Sequence, residues 1–385
     1  MLFLLRQARC RAATPRRLSN SPARYLQTAR VIFSGIQPTG VPHLGNYLGA
    51  LRQWVTLQDA AAPDETLLYA IVDLHAITLK QDPAQLRQWR REMLASLLAV
   101  GLDPKRSIIF CQSDVPQHAE LMWILSCNAS MGYLSRMTQW KSKLSLPATA
   151  SPLDLAPPRS PSAPSLPSLK LGLFSYPVLQ AADILLYRTT HVPVGEDQSQ
   201  HLEFAREVAN SFNHIFSPTT PLLIPPETIL SPAKRIMSLT KPTKKMSKSD
   251  PDIKSRILIT DSKDVISKKL KSSLTDSLDG ISYNHSTRPG VSNLIDIMYY
   301  LDESIASSPV QLCADFQNMS LKALKEKVAE AVDTQIRDVR ERYESVMGGD
   351  AGALADVGDE GARKAEERAK ETIGRVRKVL GFTWD

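Results

Sequence analysis

Long hydrophobic runs are absent from this sequence of 385 residues. No uninterrupted apolar stretch approaches the roughly 18 residues that a helix needs to span a bilayer, so we expect no membrane partner. Cysteine is also scarce. The four cysteines, at positions 10, 111, 127 and 313, lack the close paired spacing of structural zinc sites. This scarcity predicts reduced thiols and no structural zinc, and we assign no metal ligands.

Acidic side chains are missing from the first 58 positions. Residues 1–30 instead hold seven arginines together with serines, a composition typical of a mitochondrial transit peptide. A secretory signal is the alternative, but the apolar stretch at 2–5 is too short for the core of such a signal. We therefore predict that residues 1–30 direct the chain into the mitochondrial matrix, with cleavage near Arg24 and Tyr25.

The formal charge of +7 comes from the same segment. Removing its seven arginines from the 47 basic residues leaves 40, which equals the number of acidic residues. Because the rest of the chain is neutral as a whole, any contact with nucleic acid requires a local basic surface and not a general positive field. The length and the apolar fraction of 43% fit two domains with separate cores.

A turn rich in glycine and proline follows the first strand-like run. Residues 31–35 are typical of a strand and residues 46–51 of a helix. Gly35, Gly40 and Gly45 allow the backbone to approach a ligand closely, and the free amides at a helix start bind anionic oxygens. Two side chains of the turn can add hydrogen-bond donors, His43 and Asn46. By itself this segment is also compatible with a plain connection.

A second segment, much later in the chain, carries lysines beside small hydroxyl residues. It reads Lys-Met-Ser-Lys-Ser at 245–249. Flexible ammonium groups in such a loop can follow negative charge as it develops on a leaving pyrophosphate. A solvated basic loop is the alternative. Because the two segments occur together and in this order, we predict that they meet in space and hold a nucleoside triphosphate.

Strand-like runs alternate with helical segments in the first half of the chain. The strand-like runs lie at 31–35, 67–73, 107–111 and 191–194, and helical patterns lie at 83–100 and 177–187. This alternation predicts an α/β fold, a parallel sheet with helices on both faces. In such sheets ligands bind beyond the carboxyl ends of the strands, where the turn at 36–46 and the segment at 195–198 would both fall.

Two stretches differ from this pattern. Residues 144–169 contain seven prolines and are predicted to form an insertion without helix or strand. After residue 249 the chain is basic and helical, with no further strand-like run. Near the end an apolar stripe with helical spacing is predicted to pack against other helices. Its members are Ala362, Ala365, Ala369, Ile373, Val376 and Leu380.

Several segments give the chain a resemblance to a known family. They lie at 34–40, 43–50, 176–177, 181–187 and 192–198. Together with the Lys-Met-Ser-Lys-Ser loop they resemble the class I aminoacyl-tRNA synthetases, and among these the tryptophanyl-tRNA synthetase family. The likeness runs from residue 31 to the C-terminus, and the arginine-rich front end suggests the mitochondrial form. It implies a Rossmann-like, doubly wound catalytic domain at 31–254 and an α-helical anticodon-binding region at 255–385.

The resemblance implies a ligation in two steps. The carboxylate of L-tryptophan attacks the α-phosphate of ATP, with Mg2+ present, and the resulting tryptophanyl-adenylate passes to the 3′-terminal ribose of tRNA(Trp). It also implies a homodimer. Since neither step needs a covalent nucleophile of the protein, catalysis is expected to come from positioning and charge stabilisation.

The family motifs imply roles for individual residues. Catalysis would depend on His43, Asn46, Lys245 and Lys248, assisted by Lys141. The nucleotide would be held by Gln37, Pro38, Thr39, Gly45, Asn46, Gly195, Glu196, Asp197, Ile236, Lys245, Met246, Ser247, Lys248 and Ser249. Among these, the residues at 195–197 would contact the ribose and Ile236 the adenine.

Recognition of an indole ring requires an apolar slot and one hydrogen-bond acceptor. Asp183 is the candidate acceptor, because an unpaired carboxylate in the apolar helical stretch 181–187 would be costly. A solvent-facing aspartate is the alternative, which the family resemblance disfavours. The resemblance further implies contacts of tryptophan with Phe33, Tyr176, Gln180, His75, Val192 and Val194. Gln180 stands where bacterial members commonly have methionine, so the ring contact at that point is open.

Three other functions are compatible with parts of the sequence. Tyrosyl-tRNA synthetase shares both motifs, and the amino acid that supports ATP–pyrophosphate exchange distinguishes it. A non-catalytic RNA-binding protein of this fold would have no reason to keep the residues of the triphosphate grip. A small-molecule nucleotidyltransferase with a similar turn would not need the basic helical region after residue 255.

Overall fold

Five parallel strands form a sheet in the described part of the chain. The computed structural model describes residues 29–152, 169–195, 198–230, 235–248 and 250–384. The strands are Val31–Ile36 (β1), Thr66–Ile71 (β2), Ile108–Cys111 (β3), His191–Val194 (β4) and Glu227–Leu230 (β5). All their pairings are parallel, so the predicted α/β fold is confirmed.

The strand order β3-β2-β1-β4-β5 reverses direction at β1. From β1 the chain builds the sheet towards β2 and β3, and then returns to add β4 and β5 on the other side. A crevice therefore opens beyond the carboxyl ends of β1 and β4, the position at which such sheets bind ligands. The two strands are joined there by the hydroxyl of Ser34, which donates to the carbonyl oxygen of Pro193 at 3.1 Å.

The sequence pattern located four of the five strands to within two residues at either end. It missed β5, which has only four residues, begins with Glu227 and follows two prolines. Such a segment has little strand character of its own. It becomes a strand because the neighbouring edge of β4 offers unpaired backbone groups.

Helices connect the strands of the sheet, and further helices follow its last strand. In the described residues the α-helices are Leu44–Asn46 (α1), Arg52–Ala60 (α2), Asp73–Ala76 (α3), Pro83–Ala99 (α4), Gln117–Ser126 (α5), Met131–Arg136 (α6), Gln139–Lys143 (α7), Leu171–Leu185 (α8), Ser199–Phe216 (α9), Lys263–Lys271 (α10), Pro289–Leu301 (α11), Pro309–Asp315 (α12), Leu321–Gly348 (α13) and Ala351–Val379 (α14). A π-helical turn at Tyr47–Leu51 joins α1 to α2.

Two helix predictions need correction at their ends. The helix expected at 46–51 begins earlier, at Leu44, and continues through the π-helical turn to Ala60. The helix expected at 177–187 begins at Leu171 and contains Pro177 in its interior. A proline is an unusual interior residue because it lacks an amide donor, which is why the sequence pattern placed the start of the helix there.

The two faces of the sheet are buried in two apolar cores. Ile32 and Tyr69 contribute to one core, and their neighbours Phe33 and Leu68 contribute to the other. This alternation follows from the period of two in a strand. Since both faces are covered, the strands consist of nearly continuous apolar runs, as is typical of parallel sheets.

The first of these cores continues past residue 254. Leu270 of α10, Leu294 of α11 and Leu324 of α13 belong to the same buried cluster as Leu48 and Met93. The apolar packing is therefore continuous across the expected boundary. The division into domains at 31–254 and 255–385, and the anticodon-binding role of the second, remain predictions.

The last helix packs back onto the edge of the sheet. The burial of the predicted stripe is confirmed at five positions, since Ala362, Ala365, Ala369, Ile373 and Val376 lie in the second core. Packing against other helices was expected, but α14 packs mainly against β3 and less against α5 and α4. Leu380 follows the end of α14 and is half-buried. At Gly361 the approach is so close that a Cβ atom would lie 1.8 Å from the carbonyl oxygen of Ile109 in β3.

Two predicted segments lie largely outside the described residues. These are the transit peptide, of which only residues 29 and 30 are described, and positions 153–168 of the proline-rich insertion. The described parts of the insertion, 144–152 and 169, contain no strand or α-helix, as expected. Among the described helices, none combines the length and the apolar character that crossing a bilayer requires.

Candidate functional site

A cavity of about 430 Å³ occupies the crevice between β1 and β4. Eight residues that were predicted to bind substrate or nucleotide line it together: Phe33, Gln37, His75, Tyr176, Gln180, Asp183, Val192 and Val194. Further polar side chains of the lining are Ser34, Gln139, Lys143 and Gln198. The cavity therefore combines apolar walls from the strands with polar groups from α3, α7 and α8.

The carboxylate of Asp183 accepts hydrogen bonds from three side chains. Its Oδ1 accepts from Nε2 of Gln112 at 2.6 Å and from Nδ1 of His118 at 2.7 Å. Its Oδ2 accepts from Nε2 of His75 at 2.8 Å. Burial works to raise the pKa of Asp183, but the hydrogen bonds from His118 and His75 outweigh it and lower the pKa to about 2. The group is therefore an anion at neutral pH, and both histidines present an N–H to it.

A tyrosine lies behind this cluster. The phenol oxygen of Tyr187 is 2.8 Å from Nε2 of His118. Burial, with a smaller effect from the charge of Asp183, raises the pKa of Tyr187 well above its ordinary value, so the phenol is neutral and can donate. Its ring stacks on Phe33, with centroids 5.7 Å apart and planes inclined by 17°.

The phenol oxygen of Tyr176 also has two hydrogen-bond partners. It donates to Oε1 of Gln139 and contacts Nε2 of His201, each at 2.8 Å. The ammonium group of Lys143 lies 4.9 Å from the centroid of the Tyr176 ring, and burial lowers the pKa of this lysine. Short helix α7 and long helix α9 thus fix the ring that closes one end of the cavity.

The first motif folds as a reciprocal helix cap. Nδ1 of His43 accepts from the backbone amide of Asn46, and Oδ1 of Asn46 accepts from the amide of His43, each at 3.2 Å. Burial lowers the pKa of His43 to about 3, assisted by the positive charges of Lys248, Lys245 and Arg256. The imidazole is therefore neutral, as its role as an acceptor in the cap requires.

The second motif lies against the first. The Nζ of Lys248 donates to the carbonyl oxygen of Gly40 at 2.7 Å. Burial lowers the pKa of Lys248 to about 7, and Arg256 acts in the same direction while Glu92 opposes both. The expectation that the two segments meet in space is confirmed by this contact.

Backbone pairing holds the lysine loop in place. The amide of Met246 donates to the carbonyl of Ile236 at 3.0 Å, and Lys245 pairs with Met237. From the other side, Asn293 of α11 accepts from the amide of Met237 at 2.8 Å and donates to its carbonyl at 3.0 Å. The position of the loop therefore depends on a helix of the C-terminal region.

The chain returns to the first motif a second time after the lysine loop. The amide of Leu44 donates to the carbonyl of Ile257 at 2.8 Å, and the amide of Ile259 donates to that of Pro42 at 3.0 Å. These two bonds form a short antiparallel bridge. Both motifs are thus parts of one small unit.

The remaining predicted nucleotide-binding residues are distributed around this unit. A Cβ atom at Gly45 would lie 3.6 Å from Cβ of Ile236, so these two positions are adjacent. Pro38 is buried and Thr39 is exposed within the turn. Gly195 is exposed directly after β4, and Ser247 is half-buried beside Lys248. Glu196, Asp197 and Ser249 lie outside the described residues.

Lys141 does not belong to the lining of the cavity. Its Nζ donates to the carbonyl oxygen of Ala148 at 2.6 Å, and its side chain is buried. Lys143, on the same short helix, lines the cavity instead. The assisting role expected of Lys141 is untested, and the structure brings Lys143 to the place where such a role could be performed.

Sequence reasoning missed several polar residues of the site. Gln112 follows directly after β3, so the rule that ligands bind beyond strand ends could have found it. His118 and Tyr187 carry no such signal, because periodicity does not show which residues of remote elements a polar side chain will contact. Their significance depends on Asp183, which only the packing of α5 against α8 brings within reach.

Comparison with known proteins extends the likeness over nearly the whole chain. The family model of the class I tRNA synthetases (W and Y) matches residues 27–336. The mitochondrial tryptophan–tRNA ligase of Schizosaccharomyces pombe is 45% identical over 369 residues, which cover 93% of this chain and 97% of that protein.

Solved structures agree with this result. A tryptophanyl-tRNA synthetase from Mycoplasma pneumoniae is similar with a TM-score of 0.77 and 32% identity, covering 92% of this chain and 98% of that one. The enzyme from Campylobacter jejuni, solved in complex with ADP and tryptophan, is similar with a TM-score of 0.71 and 30% identity, covering 91% and 99% of the two chains.

Proposed function

Since this chain belongs to the class I tRNA synthetases of the tryptophan and tyrosine group, we propose that it uses ATP to ligate L-tryptophan to tRNA(Trp). One observation carries this proposal. The buried carboxylate of Asp183 lines a cavity with apolar walls from β1 and β4, and the same cavity is lined by Gln37, which precedes by three positions the Gly40 that Lys248 contacts.

The cavity suits an indole ring. Its volume of about 430 Å³ falls within the range of about 300–1,000 Å³ that small-molecule sites occupy. Phe33, Val192 and Val194 form the apolar walls, and Asp183 is the acceptor for the single N–H of the indole. An analogue without that donor would leave a buried anion without one of its partners, which disfavours its binding.

The polar groups of the lining bind the amino-acid end of the substrate. Tyr176 and Gln180 are placed to contact the α-amino group and the carboxylate. Gln180 already donates to the side chain of Gln198 at 3.3 Å, so this pair can reorient together when substrate enters. His75 donates to Asp183, and its contact with tryptophan is therefore at the edge of the ring.

The convergence of the two motifs is the proposed nucleotide site. Gln37, Pro38 and Thr39 surround the nucleotide with the capped helix start at His43 to Asn46, Ile236 flanks the adenine, and the segment 195–197 contacts the ribose. Lys245 and Lys248 bind the β- and γ-phosphates, for which Lys248 exchanges the carbonyl of Gly40 for a phosphate oxygen. Met246, Ser247 and Ser249 complete the loop. Lys143 is a better placed third cation than Lys141.

The chemistry needs orientation and positive charge. In the first step a carboxylate oxygen of tryptophan attacks the α-phosphorus of ATP, and the bond to the β-phosphate breaks to release pyrophosphate. In the second step a ribose hydroxyl of the tRNA attacks the carbonyl carbon of the adenylate, and AMP leaves. The lysine ammonium groups stabilise the charge that develops on the pyrophosphate.

Mg2+ is proposed to enter with the nucleotide. Within the described ranges no group of three or more His, Cys, Asp and Glu side chains is arranged to hold a metal ion. Mg2+ commonly keeps several water ligands and binds through substrate phosphates, so a site formed largely by ATP fits these residues. The ion would neutralise phosphate charge, and the chain itself would supply the lysines.

Three further properties are part of the proposal. The C-terminal helical region binds the anticodon of tRNA(Trp), two copies of the chain form a homodimer, and the enzyme serves translation in the mitochondrial matrix. The composition of residues 1–30 and the mitochondrial relative from Schizosaccharomyces pombe support this location.

ATP–pyrophosphate exchange with each of the twenty amino acids tests the function. With the full-length chain we expect exchange with tryptophan and at most traces with tyrosine, followed by charging of tRNA(Trp). Exchange with tyrosine alone would assign the protein to the tyrosine branch. RNA binding without exchange for any amino acid would contradict the enzymatic proposal.

A further inference from the structure

His118 is fully buried behind the cavity and has no role in the mechanism above. Both of its ring nitrogens are engaged. Nδ1 is 2.7 Å from Oδ1 of Asp183, and Nε2 is 2.8 Å from the phenol oxygen of Tyr187. A buried histidine with two side-chain partners is held in one orientation, and both partners belong to the wall of the cavity or to the layer behind it.

The chemistry of the two partners determines which nitrogen carries the proton. Asp183 is an anion that can only accept, so Nδ1 of His118 must present its N–H to it. Nε2 is then the acceptor, and the neutral phenol of Tyr187 donates to it. The two hydrogen bonds therefore run in the same direction: the hydroxyl of Tyr187 donates to His118, and His118 donates to Asp183.

The hydrogen bonds at Asp183 leave one oxygen available. An ionised carboxylate offers about two acceptor positions on each oxygen. On Oδ1 both are occupied, by Gln112 and His118, whereas among the described residues Oδ2 accepts only from His75. One position of Oδ2 remains for a ligand, on a residue that lines the cavity.

We propose that His118 and Tyr187 are positioning residues for the choice of tryptophan, because they hold the Asp183 carboxylate so that Oδ2 faces the indole N–H. This inference rests on the proposed function. Without the bond from His118, Oδ1 would regain a free acceptor position and the carboxylate could rotate. The site would then distinguish less sharply between a ligand that donates at this point and one that does not.

Tyr187 connects the acceptor to the apolar wall. The same ring that donates to His118 stacks on Phe33, whose side chain lines the cavity. The ring of His118 in turn meets that of Tyr187 edge to face at 5.4 Å. One tyrosine therefore contacts both the apolar wall of the slot and the histidine that orients the acceptor.

The test compares tryptophan with its isostere in which sulfur replaces the indole N–H. The measured quantity is the ratio of kcat/KM for the two amino acids in pyrophosphate exchange. In Tyr187→Phe, which keeps the stacked ring and loses only the O–H, we expect the ratio to fall about threefold to tenfold. In His118→Leu, which also removes the donor to Asp183, we expect a fall of about tenfold or more.

Two further variants make the comparison specific. His118→Asn retains an N–H near the position of Nδ1 and cannot reach Tyr187, so its ratio should lie between those of the wild type and His118→Leu. Tyr69→Phe is the matched control. Tyr69 is a buried sheet residue whose hydroxyl donates to the carbonyl of Trp54 at 3.0 Å, away from the cavity, and its loss should leave the ratio unchanged.

The ratio of kcat/KM for the two amino acids distinguishes a positioning role of these residues from an effect on folding. Both substrates are measured on the same sample, so any loss of folded protein cancels. If Tyr187→Phe and His118→Leu reduce kcat/KM for both amino acids equally, the two residues are merely structural and the inference is wrong. Absence of tryptophan-dependent exchange in the wild type would overturn the proposed function and this inference with it, whereas normal exchange with an unchanged ratio overturns the inference alone.

Discussion

The ammonium group of Lys248 donates a 2.7 Å hydrogen bond to the carbonyl oxygen of Gly40, which lies 208 positions earlier in the chain. Gly40 has a φ of +88°, a conformation that side chains rarely adopt. A Cβ atom at this position would also lie 3.1 Å from the indole nitrogen of Trp89. The direction of the Gly40 carbonyl therefore depends on glycine at this position. Through its hydrogen bond to that carbonyl, Lys248 holds the lysine loop against the turn where the phosphates are proposed to bind.

Replacing Lys248 by alanine should abolish most of the exchange activity while leaving the fold intact. The side chain supplies positive charge at the proposed pyrophosphate, and loss of one such group typically lowers kcat by about 10²–10³-fold. ATP–pyrophosphate exchange measures the loss, and thermal unfolding checks the fold.

Lys244→Ala is the control for this prediction. Lys244 is exposed on the same loop, and its backbone carbonyl, which the substitution retains, accepts from Ser238. We expect near-normal exchange from it. Unchanged exchange in Lys248→Ala, or an equal loss in both variants, would contradict the role of Lys248.

ATP binding should be accompanied by proton uptake above neutral pH. In the free protein burial lowers the pKa of Lys248 to about 7, so at pH 8 the amine is mostly neutral. A triphosphate favours the charged form, and each bound ATP should therefore take up nearly one proton at pH 8 and almost none at pH 6. Titration calorimetry in two buffers with different ionisation enthalpies measures this number.

An arginine at position 248 should remove the uptake. Arginine stays charged throughout this pH range, so ATP binding to Lys248→Arg requires no proton. Lys244→Arg should behave as the wild type does. Uptake of the same size in Lys248→Arg would show that another group is responsible.

Acidification should destabilise the protein partly through His43. Its pKa is about 3 in the folded state, because of burial and neighbouring positive charge, and 6.5 is the ordinary value for the unfolded chain. Between these two values the unfolded state binds more protons, so the free energy of unfolding falls as the pH is lowered from 6.5 towards 3. A single group contributes a slope of at most about 1.4 kcal/mol per pH unit.

His43→Asn isolates this contribution. Asparagine accepts a hydrogen bond at a helix start as well as any residue does, and it does not titrate. Urea unfolding at several pH values should give a shallower acid slope for the variant than for the wild type. Parallel curves would mean that His43 is not kept neutral by the fold.

The contact between α14 and the sheet can be tested with two glycines of the same helix. A Cβ atom at Gly361 would meet the carbonyl oxygen of Ile109 at 1.8 Å, so Gly361→Ala must displace the helix from β3 and should cost about 3 kcal/mol. At Gly374 a Cβ atom would meet none of the described neighbours within 4 Å, and Gly374→Ala should stabilise the helix by about 0.5–1 kcal/mol. Urea unfolding of both variants gives the comparison. Equal midpoints would contradict this packing.

Most strands of the sheet could be predicted from the sequence, because the pattern that identifies a strand lies within a few consecutive residues. β1 and β4 are buried on both faces, so their apolar runs appear directly in the sequence, and the glycine-rich turn identifies a close backbone approach without any tertiary information. β5 was missed because its pairing comes from β4 and not from its own residues. The order of the strands, and hence the position of the crevice, is likewise a property of the assembled sheet.

The candidate site was predictable as a set of residues but not as a network. Asp183 could be selected as a buried acceptor, whereas its three donors come from α3, α5 and the turn after β3, which are remote from it in the chain. The sequence also could not show which of Lys141 and Lys143 lines the cavity. Both lie on one short helix, and only packing decides between them.

The sequence by itself determined the fold class, the two motifs at which phosphates are proposed to bind, and the family, because these depend on the backbone preferences and side-chain chemistry of short segments. Only the tertiary structure decided that Lys248 reaches Gly40, that Asp183 accepts hydrogen bonds from His75, Gln112 and His118, and that α14 returns to β3. These are relations of distance and burial between remote residues, and they exist only after the apolar cores have closed around the sheet.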